Sequence, residues 1–223
     1  MFFQLKNSFN FITSNTTYYL RGYVKNESGI YYSQEISFKT GEGEISDIDG
    51  NIYQIKTIGS QVWTIENLKV TKFNDGSTIP IIQENLEWSS TSTSAYCTYN
   101  NTLYGKLYNF YTVIDSRNLC PSGWHVPNDI EWKTLELYLG MTQNQVDNSG
   151  SRGTDEGGKL KQAGCSPEGW SCYNIGATNS TGFSALAGGY RYDNGAFSNI
   201  RESAYFWTST DFDNSSAWNR SLS

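Results

Sequence analysis

The chain has 223 residues, with 16 Lys and Arg against 22 Asp and Glu for a net charge of −6, and it is 15% aromatic with 7 Trp and 16 Tyr. That length buries one sizeable core, or one domain with a fragment of another. The charge excludes a protein that tracks nucleic-acid phosphates, which needs clustered Lys and Arg. No run of about 18 apolar residues is present to make a membrane-spanning helix. Only 17% of residues are charged, and the many Asn, Ser, Thr and Gly read as turn-rich β structure with a hydrogen-bonding surface, as in extracellular proteins. The start MFFQLKNSFNF lacks the pattern of a signal peptide, so export is an inference from composition.

The first forty residues alternate apolar and polar side chains in two runs, TTYYLRGYVKN and GIYYSQEISFKT, joined by Asn26-Glu27-Ser28-Gly29. This predicts a β-hairpin. Two strands bury no core alone, so the segment is expected to end a larger domain or to lie against the next part of the chain. GEGEIS (Gly41 to Ser46) reads as a short polar linker. DIDGNIYQIKTIGSQVWTIENL reads as a second hairpin turned at Asp49-Gly50, with Ile52, Ile55, Ile58, Val62 and Trp63 as its apolar positions. Residues 74–101 hold Ser/Thr clusters without a period and are expected to be loop, and GKLYNFYTVID predicts a short helix. The clearest helix comes next. Pro127 and Asn128 start it, Glu131 completes a capping box, Trp132, Leu135 and Leu139 form its apolar stripe, and Gly140 ends it. Gly-rich loops and short strands come after Asp147, an α+β order.

Residues able to carry chemistry are few. Asp47, Asp49 and Asn51 have the spacing that opens a calcium loop, but Ile58 stands where its bidentate Glu belongs, so a β-turn is expected and no metal. His125 is the only histidine and is expected to pack with one nitrogen hydrogen-bonded. No GxSxG context supports a hydrolase. Glu131, Glu136, Asp155 and Glu156 read as caps and solvated faces, not as a glycosidase pair. Cys97, Cys120, Cys165 and Cys172 contain no CxxC, which leaves disulfides or buried free thiols. The closest pair is Cys165 and Cys172, where Pro167 and Gly169 can turn the chain back. No catalytic residue and no cofactor is expected. The strongest binding signal is the aromatic and amide-rich stretch from Thr178 to Ser223.

Several segments carry resemblances. TTYYLRGYVKNESGIYYSQEISFKT resembles the last two strands of a fibronectin type III domain, with Tyr19, Arg21 and Tyr23 alternating before the turn. From Asp47 onward the chain resembles the Fibrobacter succinogenes major paralogous domain, found in secreted and lipid-anchored proteins of Bacteroidetes. The matching pieces run in order as DIDGNIYQIKTIGSQVWTIENLKV, YGKLYNFYTV, CPSGWHVPNDIEW, GGKLKQAG, NSTGFSALAGGYR and FWTSTD. GWHVPNDIEW also resembles a stretch of formylglycine-generating enzymes, and FWTSTD through AWNR is similar to the end of C-type-lectin-like domains.

These resemblances imply a C-type-lectin-like α+β fold of small antiparallel sheets, one or two helices and long loops. They divide the chain into a partial fibronectin-like hairpin (1–40), a linker (41–46) and a lectin-like domain (47–223). The family's last strand, with its late Cys, is not found, so the domain is expected to be cut at its C-terminus and Cys120 to lack its partner. The implied role is a non-catalytic binding or adhesion module of an exported cell-surface protein, meeting a carbohydrate or a surface protein. A structural spacer is the alternative, and an oxidase of the formylglycine-generating type is third. In lectin-like domains the C-terminal loops and strands meet the ligand. Here that implies Tyr192, Asp193, Asn194, Asp211, Asp213, Asn214, Trp218 and Asn219.

Overall fold

A computed structural model describes residues 4–5, 16–26, 28–40, 43–99, 102–165, 169–213 and 216–223. The chain opens with a two-residue strand, β1 (Gln4–Leu5). Two antiparallel ribbons come next, with β2 (Thr16–Leu20) paired to β5 (Ile36–Thr40) and β3 (Tyr23–Asn26) paired to β4 (Gly29–Tyr32). The expected hairpin is therefore present. It is interrupted where Gly22 and Ser33 hydrogen-bond each other and Arg21 meets Glu35 at 2.8 Å. Tyr19, Tyr23, Tyr31 and Tyr32 are each more than half exposed, as befits a ribbon with little core of its own.

The next strands are β6 (Gly43–Ser46), β7 (Ile52–Ile58) and β8 (Gln61–Thr64). They form an antiparallel meander that takes in the last four residues of the expected linker. The polar look of GEGEIS hides one inward residue, Ile45, which packs on the core and fixes the register of this edge strand. The first sheet has the order β11-β1-β8-β7-β6, where β11 is Trp124–His125. Gln4 lies opposite both Trp63 and His125, so a strand from the expected N-terminal fragment sits inside this sheet. Without it, β8 and β11 would face each other with unpaired backbone groups.

Residues 74–101 are not all loop, because α1 (Asn85–Ser90) and β9 (Tyr96–Cys97) form there. They gather around a small core of Ile82, Trp88, Ala95 and Cys97. One buried residue in a six-residue helix leaves no period to read. β10 (Leu107–Tyr108) pairs with β9, and the short helix expected in GKLYNFYTVID is α2 (Phe110–Val113). The helix α3 (Asp129–Leu139) has the expected cap, with Asn128 accepting from Glu131 N–H and Glu131 accepting from Asn128 N–H, both at 2.9 Å. Its Trp132 meets Trp63 of β8 at 5.0 Å and Phe206 at 5.6 Å between ring centroids. Phe206 belongs to the second sheet, so one side chain ties the two sheets together.

Two short helices, α4 (Gln143–Asp147) and α5 (Glu156–Leu160), lead to the second sheet. It is built from β12 (Gly188–Arg191), β13 (Phe197–Ile200), β14 (Ala204–Asp213) and β15 (Ser216–Leu222), in the order β13-β12-β14-β15. β14 and β15 make a long hairpin whose register shifts between Trp207 and Asp211. α3 is pinned to it by Arg220, which reaches Asp129 and Glu136 at 2.6 Å each, and Arg152 reaches Glu136 from the other side at 2.9 Å. Small sheets with a few short helices make this an α+β protein. Cys165 and Cys172 form a disulfide, and Cys97 and Cys120 are buried free thiols. No helix among the described residues is long and apolar enough to cross a membrane.

Candidate functional site

A groove of about 670 Å³ runs between α1, the β10–α2 segment and the middle of the second sheet. Its position is set by two glycines. Gly188 brings β12 close to Tyr104, where an added Cβ would lie 3.4 Å from the Tyr104 Cβ. Gly189, at φ +57°, has room for no side chain, because a Cβ there would run into the Ser198 carbonyl. The strand thus stays flat against its neighbours and leaves the space in front of it to aromatic rings.

Those rings are held by polar pins. The Trp88 indole N–H donates to the Tyr192 carbonyl at 3.0 Å, and the Trp207 indole N–H donates to the Tyr108 carbonyl at 2.9 Å. Phe110 tilts against Trp207 at 5.4 Å, and Tyr190 packs on both Tyr205 and Tyr192 at 4.6 Å. Arg191 closes one end. Its guanidinium lies over Trp88 at 4.4 Å and Phe197 at 4.8 Å, and it donates to the carbonyls of Ile82, Gln83 and Gly195 at 2.6–2.8 Å. Lys106 lines the other side, with its ammonium 4.9 Å from the Tyr96 ring centroid. Burial pushes its pKa down, against an opposing pull from Asp49 and Asp47. Donation of the Tyr190 hydroxyl to Tyr192, together with partial desolvation, pushes the Tyr190 phenol pKa up.

The C-terminal residues singled out from the sequence divide between two places. Asp193 and Asn219 line the groove, and Tyr192 stands at its rim. Asp193 and Asn194 use side-chain oxygens to shape the turn, accepting from the N–H groups of Asn194 and Ala196. Asp211 and Asp213 lie instead further along β14, toward the end of the β14–β15 hairpin, and Trp218, though next to Asn219, faces the opposite side of the strand from that groove residue. There Trp218 is half-buried and packs edge-on against Phe212 at 4.8 Å. Asn214 lies outside the described residues. Sequence reasoning missed Trp88, Lys106, Tyr108, Phe110 and Arg191. The one available signal was the density of aromatics in YGKLYNFYTV, a segment that stood out only for its resemblance.

The remaining candidate residues are engaged in structure. Asp47 accepts from Asp49 N–H, Asn51 N–H, the Asn51 amide and the Tyr53 hydroxyl at 2.6–3.0 Å, which is the expected turn. Asp49 accepts from the N–H and hydroxyl of Thr71 and pairs with Lys72 at 3.0 Å. His125 Nε2 sits 2.9 Å from both oxygens of the capping Glu131. Burial raises the thiol pKa of both Cys97 and Cys120. Among the described residues no three His, Cys, Asp or Glu side chains gather as a metal site.

No protein of curated function matches the chain, and no solved structure matches it either. Residues 57–223 match the Fibrobacter succinogenes major domain, from the end of β7 through the whole second sheet. That match covers most of the sequence, and the chain belongs to the Fibrobacter succinogenes major domain family.

Proposed function

We propose that this chain is a non-catalytic binding module of an exported bacterial surface protein, with a C-type-lectin-like frame, and that its aromatic groove takes a saccharide. The groove itself carries the reading. Its volume falls in the range of small-ligand sites, and it joins apolar rings to a few placed polar groups. A pyranose offers C–H faces with slight positive charge to the negative faces of rings such as Trp207, Tyr205 and Tyr190. Its hydroxyls find Asn219 and the tyrosine hydroxyls at the edges. Because Trp88 and Trp207 are pinned through their indole N–H groups, little side-chain entropy is lost when a ligand docks. The commitment of His125, Glu131, Glu136 and the cysteines to structural contacts supports a binding role over a catalytic one.

The test is calorimetry or a glycan array on the intact chain, beside a Tyr205→Ala variant whose folding is checked by circular dichroism. We expect at least one oligosaccharide to bind the wild type and the variant to lose roughly tenfold or more in affinity, the value of a lost stacking contact of about 1–3 kcal/mol. Undiminished binding in a folded variant moves the ligand away from the groove. Failure of every sugar returns the chain to the spacer reading.

A further inference from the structure

We infer that the slot between β8 and β11 is a strand-acceptor site, and that it takes β1 from a second copy of this chain, so that two copies exchange their first strands. β1 is held on both sides at once. Gln4 lies opposite Trp63 of β8 and opposite His125 of β11, and Leu5 lies opposite Trp124, with both pairings antiparallel. Neither neighbour is close to it in sequence, since β8 begins at Gln61 and β11 at Trp124. The two strands that form the slot fall within residues 57–223, the stretch that matches the family, whereas β1 lies outside that stretch. A segment from beyond the matched domain therefore completes its sheet.

Recognition in such a slot runs through the main chain. β8 and β11 each turn a row of N–H and C=O groups toward it, and an extended segment pairs with both rows. A second copy brings the same segment in the same register. A copy's own β1 is favoured over that rival only by its tether. The tether is long, because the chain leaves β1 beside β11 and re-enters the sheet at β6, the opposite edge, by way of residues 6–42. Effective concentration falls roughly as the −3/2 power of tether length, so this crossover gives far less self-preference than a tight turn would. It carries the β2–β5 and β3–β4 ribbons, whose Tyr19, Tyr23, Tyr31 and Tyr32 are 57–67% exposed, so the ribbons travel with the strand without uncovering a core. An empty slot leaves two unpaired strand edges, which makes the exchange reciprocal. Two copies then keep every strand-to-slot bond, and the added cost is that of associating two bodies.

The experiment follows the full chain by sedimentation up to about 1 mM, the order of the effective concentration of a tethered segment. We expect a monomer at the dilute end and a dimer at the concentrated end. Gln4→Pro should stay monomeric, because proline has no N–H to give a strand paired on both sides. The free peptide MFFQLKNSFN should bind folded Gln4→Pro roughly tenfold or more tighter than it binds the wild type, where the tethered strand competes. The same peptide carrying Gln4→Pro should not bind. A wild type that stays monomeric throughout, or a dimer that forms equally well in Gln4→Pro, overturns the second copy as the occupant. Failure of the peptide to bind folded Gln4→Pro overturns the acceptor site itself. Should Gln4→Pro not fold, excess peptide added to the wild-type dimer decides in its place: conversion to monomer supports exchange, and an unchanged dimer overturns it.

Discussion

Two helices of this chain each bury one tryptophan, and they hold it in different ways. α3 places Trp132 between the two sheets, 2% exposed, with rings on every side and no hydrogen-bond partner for its indole N–H among the described residues. α1 places Trp88 at the edge of the groove, with its N–H bonded to Tyr192 and its face covered by Arg191. α3 is capped at its start by its own sequence and carries an apolar stripe, whereas α1 has Glu84 at its N-cap position and no side-chain cap bond. The first arrangement gives stability without specificity. The second gives a rigid wall whose other side is open to a ligand.

The sharpest way to break this contrast is to empty each helix of its anchor. Trp132→Ala should cost about 3–5 kcal/mol, since it removes a large ring from a site that cannot collapse onto one sheet without leaving the other. Denaturant melts check it, and native-like stability would show that α3 does not bridge the sheets. On the α1 side, Arg191→Met should cost about 1–3 kcal/mol by leaving the Ile82, Gln83 and Gly195 carbonyls without their donor. The loss should stay local, read as faster amide hydrogen exchange over residues 82–90. Arg191→Lys should not rescue it, because a single ammonium cannot serve carbonyls spread around a planar fork.

The same contrast explains what the sequence could tell. α3 is legible because its signals are local: Asn128, Glu131 and the Trp132, Leu135, Leu139 spacing all fall within a dozen residues. α1 is defined from afar, since Trp88 bonds to a carbonyl 104 residues later, and no window around Trp88 contains that partner. β6 was hidden by one inward residue, Ile45, in a polar stretch, and β1 by having only two residues. Of the groove, the aromatic and amide-rich C-terminal stretch supplies one wall, which includes Asp193 and Asn219. The register shift after Trp207 then breaks the alternation from which a facing direction could be read. The opposite wall comes from segments read as loop or as a plain short helix.

The helices should also differ in their response to acid. Burial alone would raise the Asp129 carboxyl, but hydrogen bonds and charge from Arg220 and then Lys133 outweigh it and hold its pKa below the ordinary carboxylate range. The stability this lends is present above the unfolded-state pKa and is lost as pH falls through the depressed folded value. Melting temperature measured from about pH 6 down to about pH 3 should therefore fall less steeply in Asp129→Asn than in the wild type. An unchanged slope would show that the Arg220 pair contributes nothing in solution. No ion pair ties Glu84 or Glu87 of the α1 segment to a cation among the described residues, so the groove wall should gain no comparable term.

The smallest effect is expected at the end of the β14–β15 hairpin, which shares its residue types with the groove but not its shape. Trp218 and Phe212 pack edge-on against each other, so the indole spends one side on a neighbour. Asp211 and Asp213 are exposed beside them. A projecting strand pair offers a ligand contact on one face only, whereas the groove surrounds it, and surrounding is what removes water from stacked rings. Trp218→Ala should therefore cost about 0.5–1.5 kcal/mol of stability, the worth of an aromatic pair, and leave saccharide affinity within about twofold of the wild type. Tyr192→Ala, which strips the groove rim of the ring packed on Tyr190, should weaken the same sugar severalfold. The reverse ranking, with affinity lost at Trp218 and kept at Tyr192, would put the ligand on the hairpin and reduce the groove to a consequence of how α1 packs.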